Sequence, residues 1–428
     1  MSGAASEAGL ADPGLAGPVP ADPVMADEGL ADAVRRRLAA RGTAPTPAAV
    51  AEAVRAERPA LTEARQCELA RLVGSELAGA GPLEPLLRAP GVTDVLVNGP
   101  GEVWVDRGTG LERARGVRFA DAAEVRRLAQ RLAAAAGRRL DDAQPWVDAR
   151  LPDGTRLHAV LAPVAVGSTC LSLRVLRARP FTVGELMAAG AVSAQGAELL
   201  RAVVRAGLSF LVTGGTGVGK STLLGTLLGL VPARERLVLV EDTAELTVDH
   251  RHVVRLECRP ANQEGAGRVE LGELLRQALR MRPDRLVVGE VRGAEVLALL
   301  GALNTGHAGC GTLHANAARD VPARLEALAA AAGLERAALH SQLAAALDAV
   351  VHVARGADGV RRVEGVHVLV RGTGPVAAVQ AARLTRGGVR PGPGWTRLAR
   401  RVGLPSAGGH GPADADLDVD MTPEGSWT

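Results

Sequence analysis

The stretch "FLVTGGTGVGKSTLLGTLL", Phe210 to Leu228, decides how this 428-residue chain is read. It contains Lys220, the only lysine; every other cationic residue among the 50 Lys plus Arg is arginine. Gly214-Gly215-Thr216-Gly217-Val218-Gly219-Lys220-Ser221 fits G-x-x-x-x-G-K-[ST]. An apolar run precedes it and the helical pattern "KSTLLGTLLGLV" follows, the context in which such a loop holds phosphates, with Thr222 among the expected nucleotide-binding residues. The glycines let backbone N–H groups converge on phosphate oxygens, and the helix N-terminus adds its dipole. Lys220 then has to place a compact, flexible charge on the β- and γ-phosphates, which a planar guanidinium does poorly. Ser221 is the expected Mg²⁺ ligand. ATP and Mg²⁺ are the cofactors this predicts.

Composition excludes several function classes. Net charge is +3, and the chain has three Phe, four Trp and no Tyr, which is poor material for a stacking platform on single strands. Direct nucleic-acid binding is disfavoured. Cys67, Cys170, Cys258 and Cys310 form no C-x-x-C pair, so neither a zinc module nor a disulfide framework is expected. The first thirty residues lack the basic and apolar regions of a signal peptide. The longest uncharged stretch, about 296–318, carries Asn, Thr, two His and several Gly and makes a poor membrane span. A cytoplasmic protein reaching a membrane only through partners is predicted.

Residues 1–28, rich in Ala, Gly, Pro and acid, read as disordered. Residues 30–178 read as a mixed α/β domain. It opens with helices to about Leu87, followed by a hairpin in "VTDVLVNGPGEVWVDRG", a helix in "AAEVRRLAQRLAAAAG" and strands around a turn at Pro152-Asp153-Gly154. Residues 179–190 read as a linker. From 191 to 370 short apolar runs ("LSFLVT", "RLVLVE", "HVVRLE", "RLVVGE", "GCGTLH") alternate with amphipathic helices, the pattern of a mainly parallel α/β sheet. Residues 371–428 read as a loosely structured tail.

Acids sit where ligand groups collect in such sheets, just after apolar runs. Glu241, Asp242 and Glu245 follow one run and Glu290 ends another. A nucleotide hydrolase needs one acid for Mg²⁺ or its waters and one to orient the attacking water; the residues alone do not separate these roles. His307 and His314, seven apart, match no common zinc spacing and fit either a γ-phosphate sensor or intersubunit switch, or structural histidines.

Four blocks in order resemble the type II/type IV secretion ATPases (the GspE/PulE-like superfamily), and within them the TadA/CpaF branch. They are the loop at 214–221, "EDTAEL" at 241–246, "RMRPDRLVVGEVRGAE" at 280–295 and "NTGHAGCGTLHANAARDVPARLE" at 304–326. The resemblance spans about Leu83 to Val370 and includes an actinobacterial group labelled conjugal-transfer-associated. It implies a RecA-like P-loop NTPase domain preceded by a smaller mixed α/β domain, assembled as a homohexameric ring with ATP between domains. Inner-membrane platform proteins are the implied partners. By resemblance Glu290 is the acid at Mg²⁺, Glu245 the general base supported by Glu241 and Asp242, and His307 and His314 lie near the γ-phosphate. Arg156, Arg174, Arg280 and Arg282 match arginines that stabilise transferring phosphate, although in so arginine-rich a chain each could equally be a surface ion pair. Cys310-Gly311 stands where many relatives have Gly-Ser, the paired-cysteine zinc module is absent, and the acidic C-terminal stretch has no counterpart. The implied function is Mg²⁺-dependent ATP hydrolysis driving Flp-type pilus assembly or secretion. A conjugal DNA-transfer motor and a nucleotide-gated scaffold with little turnover are the rivals.

Overall fold

The computed structural model describes residues 29–405 except 44, 109, 177–178, 260 and 262–264. The segment 1–28 and the acidic C-terminal stretch lie outside the described residues. The chain divides into two compact units at Leu176. In the first, α1 (Leu30–Ala40), α2 (Pro47–Glu57) and α3 (Glu63–Ala78) share a small core. Leu30, Val34 and Leu38 recur every fourth residue and so form one buried stripe on α1. Thr46 caps α2 by accepting from the Ala49 N–H, with Pro47 in the first turn.

After α4 (Glu84–Arg88) come β1 (Asp94–Gly99), β2 (Glu102–Asp106), β3 (Leu111–Arg113), α5 (Ala122–Ala135), β4 (Trp146–Arg150), β5 (Arg156–Val160) and β6 (Cys170–Arg174). The strands make an antiparallel sheet in the order β3-β2-β1-β6-β5-β4. Val95, Val97, Val103 and Val105 alternate inward and share a core with Val125, Leu128 and Leu132 of α5. The hairpin around "NGPG" and the turn at 152–154 are where the sequence puts them.

The second unit contains α6 (Val183–Ala188), α7 (Ala194–Arg205), β7 (Phe210–Gly214), α8 (Lys220–Leu228), β8 (Leu237–Glu241), β9 (Val253–Glu257), α9 (Leu271–Ala278), β10 (Arg285–Val291), α10 (Glu295–Asn304) and β11 (Ala308–His314). It continues with α11 (Val321–Ala331), α12 (Arg336–Ala346), β12 (Ala349–Arg355), β13 (Arg361–Arg371), β14 (Val376–Thr385), β15 (Gly388–Pro391) and α13 (Trp395–Val402). The sheet order is β15-β14-β13-β12-β7-β11-β10-β8-β9. From β9 to β12 neighbours are parallel; β13, β14 and β15 add on antiparallel. Each sheet face has its own core: α7, α8 and α13 share one with Phe210, Val212 and Leu239, and α9 to α12 share the other with Leu211, Val240 and Val288. Strands covered on both sides bury every side chain, which is why β7 and β8 read as continuous apolar runs. This is the expected RecA-like α/β class.

Two sequence readings need correction. Residues 183–188 are a helix, not linker: Thr182 and Glu185 form a capping box, and Val183 joins the core of the second unit. Residues 376–402, read as part of a loose tail, complete the sheet as β14 and β15 and return as α13 against β14 and α7. "VAAVQAARLT" hides its alternation because its inward positions include Ala381 and Ala382, and alanine is a weak strand signal. Leu398 on α13 is fully buried. Leu398→Ala is therefore expected to cost about 2–4 kcal/mol in thermal or urea unfolding. An unchanged midpoint would restore the loose tail.

Candidate functional site

The phosphate loop is built by backbone constraints. β7 ends at Gly214, where a Cβ would meet the Val353 carbonyl oxygen at 2.2 Å, so only glycine fits. Gly217 (φ 69°) and Gly219 (φ 94°) turn the chain through the left-handed region, and Gly219 is the N-cap of α8. Val218 packs into the core and anchors the loop. Ser221 is half-buried at the start of α8; Thr216 and Thr222 are exposed. Lys220 is only 7% exposed. Its Nζ donates to the carbonyls of Gly215 (2.7 Å) and Gly214 (3.1 Å). Burial lowers its pKa, and the Glu290 carboxylate works against that.

Three strand ends bring the partners of Lys220 together. β11 lies between β7 and β10 and pairs His314 with Gly214. His314 Nδ1 is 3.2 Å from Lys220 Nζ, and its Nε2 is 2.8 Å from Glu290 Oε1. Burial and then Lys220 lower the His314 pKa, so the ring is neutral near pH 7. One tautomer serves both neighbours: Nε2–H faces Glu290, and the Nδ1 lone pair faces the ammonium. Glu290 Oε2 accepts from the Arg292 guanidinium. Sequence reasoning passed over Arg292, although it lies only two residues beyond Glu290.

Glu241 is a brace. It is 2% exposed, and its Oε1 accepts from the N–H groups of Leu246 (2.8 Å) and Glu245 (3.0 Å), holding the loop that carries Glu245. Gly289 permits this placement, since a Cβ there would meet Glu241 Cγ at 2.8 Å. Arg255, also missed in the sequence, lies 3.5 Å from Glu241 Oε2. Asp242 is exposed and accepts from the Cys258 thiol at 3.5 Å. Glu241 Oε2 and Glu290 Oε1 are shielded from solvent; the first has no hydrogen-bond donor and the second has only the His314 ring facing it. Two such oxygens, with the Ser221 hydroxyl at the head of α8, are a donor set that fits a hydrated Mg²⁺.

Within the second unit, His307, Arg280 and Arg282 do not converge on this loop. His307 precedes β11 and His314 ends it, so the extended strand separates them by roughly 20 Å. His307 therefore sits at the opposite end of the strands, beside the Thr305 hydroxyl at 3.1 Å, and not beside the phosphate loop of its own chain. Arg280 and Arg282 precede β10 at that same far end of the strands, both exposed. In the first unit Arg156 and Arg174 face each other in register across β5 and β6. Arg156 pairs with Asp148 (2.8 Å) and Arg174 with Asp94 (3.1 Å).

Burial raises the Glu241 pKa above its ordinary value of 4.5. A carboxyl whose folded pKa is raised stabilises the fold when protonated, and that contribution is lost as pH rises from about 4.5 through the folded value. Glu241→Gln keeps an acceptor for both N–H groups and carries no charge. Its melting temperature minus that of the wild type is expected to grow with pH across this window. A difference that shrinks with pH would show that the native fold favours the charged form.

Residues 76–384 match the family described as "Type II/IV secretion system protein". "Putative conjugal transfer protein Rv3659c" of Mycobacterium tuberculosis (strain ATCC 25618 / H37Rv) is 58% identical over 324 residues, covering 74% of this chain and 92% of that protein. "Conjugal transfer protein TrbB" of Rhizobium radiobacter is 31% identical over 282 residues, covering 65% and 84%. Among solved structures, the VirB11 ATPase of the Brucella suis type IV secretion system is 27% identical with a TM-score of 0.36, covering 67% of this chain and 95% of that one. With its phosphate loop, buried lysine and acidic strand ends, the chain belongs to the type II/IV secretion system protein family and is an ATPase of that family.

Proposed function

We propose that the protein is a Mg²⁺-dependent motor of the TadA/CpaF kind, a ring of identical subunits that hydrolyses ATP to drive secretion or assembly of a Flp/type IV pilus. The observation that carries this is the cluster of Lys220, His314, Glu290 and Arg292 at the phosphate loop. The loop N–H groups and Lys220 hold the phosphates. Ser221 and Glu290 would hold Mg²⁺, which supplies neutralising charge on the phosphate oxygens. Glu245, on the loop braced by Glu241, orients the attacking water and takes its proton. Water adds to the γ-phosphorus, the bond to the bridging oxygen breaks, and ADP and phosphate leave. His314 shifts its contacts between Lys220, Glu290 and the γ-phosphate and so reports its presence. Asp242 stays at the loop edge.

Arg280, Arg282 and His307 lie at the far end of the strands from the phosphate loop, so any role at phosphate would be exerted on another subunit. That favours sites shared around a ring, a hexamer by family analogy, working on the inner face of the membrane through platform proteins. No helix among the described residues is long and apolar enough to cross a membrane. A second reading, a conjugal DNA-transfer motor, draws support from the names of the M. tuberculosis and R. radiobacter relatives. Salt-dependent DNA binding and DNA-stimulated turnover would favour it.

Turnover is expected to rise with protein concentration as particle mass increases. Lys220→Ala and Glu290→Gln are each expected to lower kcat by at least about 100-fold while the fold is retained. Nucleotide binding without turnover in an assembled wild type would support a nucleotide-gated scaffold instead.

A further inference from the structure

A buried polar pair behind the phosphate loop has no part in the chemistry above. Thr213, the residue before Gly214, is fully buried, and His352 on β12 is 4% exposed. β12 and β7 are parallel neighbours with His352 opposite Thr213. Thr213 Oγ1 and His352 Nδ1 are 2.9 Å apart. The Asn316 backbone, two residues beyond His314, faces the ring as an acceptor and works against the lowering of its pKa. The next residue, Val353, presents the carbonyl against which Gly214 packs.

The Thr213 bond and the facing Asn316 backbone together favour one tautomer of the ring. With Nδ1 accepting the Thr213 hydroxyl proton, Nε2–H is the donor left for the Asn316 carbonyl. Burial lowers the His352 pKa, so the neutral ring this requires is the favoured form. His352 thus crosses the end of β7 from β12 to the segment after β11. It ties together the strand that opens the phosphate loop and the strand that carries His314. An ordinary core contact would need neither bond; an apolar side chain of the same shape would fill the space.

We propose that His352 is a positioning residue for ATP hydrolysis: it clamps Thr213 and the Asn316 segment so that the phosphate loop and His314 keep their spacing about Lys220. This rests on the hydrolysis reading above. A residue that sets geometry at the reacting phosphate acts on kcat more than on ATP binding.

The test combines steady-state kinetics on the assembled full chain with amide exchange of segments 213–220 and 314–317. His352→Phe and Thr213→Val, which keep shape and lose the bond, are each expected to lower kcat about five- to tenfold with KM for ATP changed less than about twofold. The double variant should be no worse than His352→Phe, which already removes the bond to Thr213. His352→Gln, whose amide offers both an acceptor and a donor, should recover most of the loss. Exchange in both segments should quicken in His352→Phe and not in His352→Gln. Wild-type kcat in His352→Phe, multiplicative losses in the double variant, or equal losses in Gln and Phe matched by equal falls in melting temperature would each overturn the clamp. An inert wild type would count against the hydrolysis reading instead, and the exchange comparison would still decide for or against the clamp.

Discussion

A buried ammonium organises the second unit. Lys220 is almost without solvent, and placing a charge there costs several kcal/mol unless neighbours compensate. Two loop carbonyls accept from it, a neutral imidazole faces it, and the Glu290 carboxylate stands behind that imidazole. These groups come from three strand ends that must be adjacent and parallel. The order β7-β11-β10 is thus a requirement of the site as well as a packing solution. The alternation of strands and helices provides the crossovers that parallel neighbours need.

Close approaches enforce the same geometry. Gly214 lies so near the β12 backbone that no side chain fits, and Gly289 leaves room for Glu241 to pass beneath it. The buried Glu241 carboxylate carries an electrostatic cost, visible in its raised pKa, offset by two loop N–H groups and Arg255. What it secures is a fixed conformation for the loop bearing Glu245. The acids thus divide their work by position: Glu241 shapes a loop, Glu290 faces the cation cluster, and Glu245 rides on the braced segment.

Much of this was legible in the sequence because it is local. The glycine spacing, the lone lysine, the apolar runs of buried parallel strands and the acids that follow them all lie within short windows. What stayed hidden depends on register between distant segments. His307 and His314 look equivalent in sequence, and only their places at the two ends of β11 separate them. Arg292 and Arg255 were lost among many arginines until pairing singled them out. The bond of His352 to Thr213 joins residues 139 apart and has no local sign in "AVVHVAR". Residues 376–402 were misread because alanine fills inward positions that larger residues usually mark. The helix at 183–188, by contrast, carried a readable T-x-x-E cap.

The depth and shape of this cradle call for a lysine and no other cation, in a chain that uses arginine everywhere else. Lys220→Arg tests it most directly, with ATP affinity, turnover and melting temperature measured on the assembled protein. The expected result is a folded protein whose turnover falls by at least about 100-fold, because the guanidinium retains the charge but cannot reach both loop carbonyls and phosphate from that depth. Turnover within about threefold of wild type would show instead that charge alone suffices at this position.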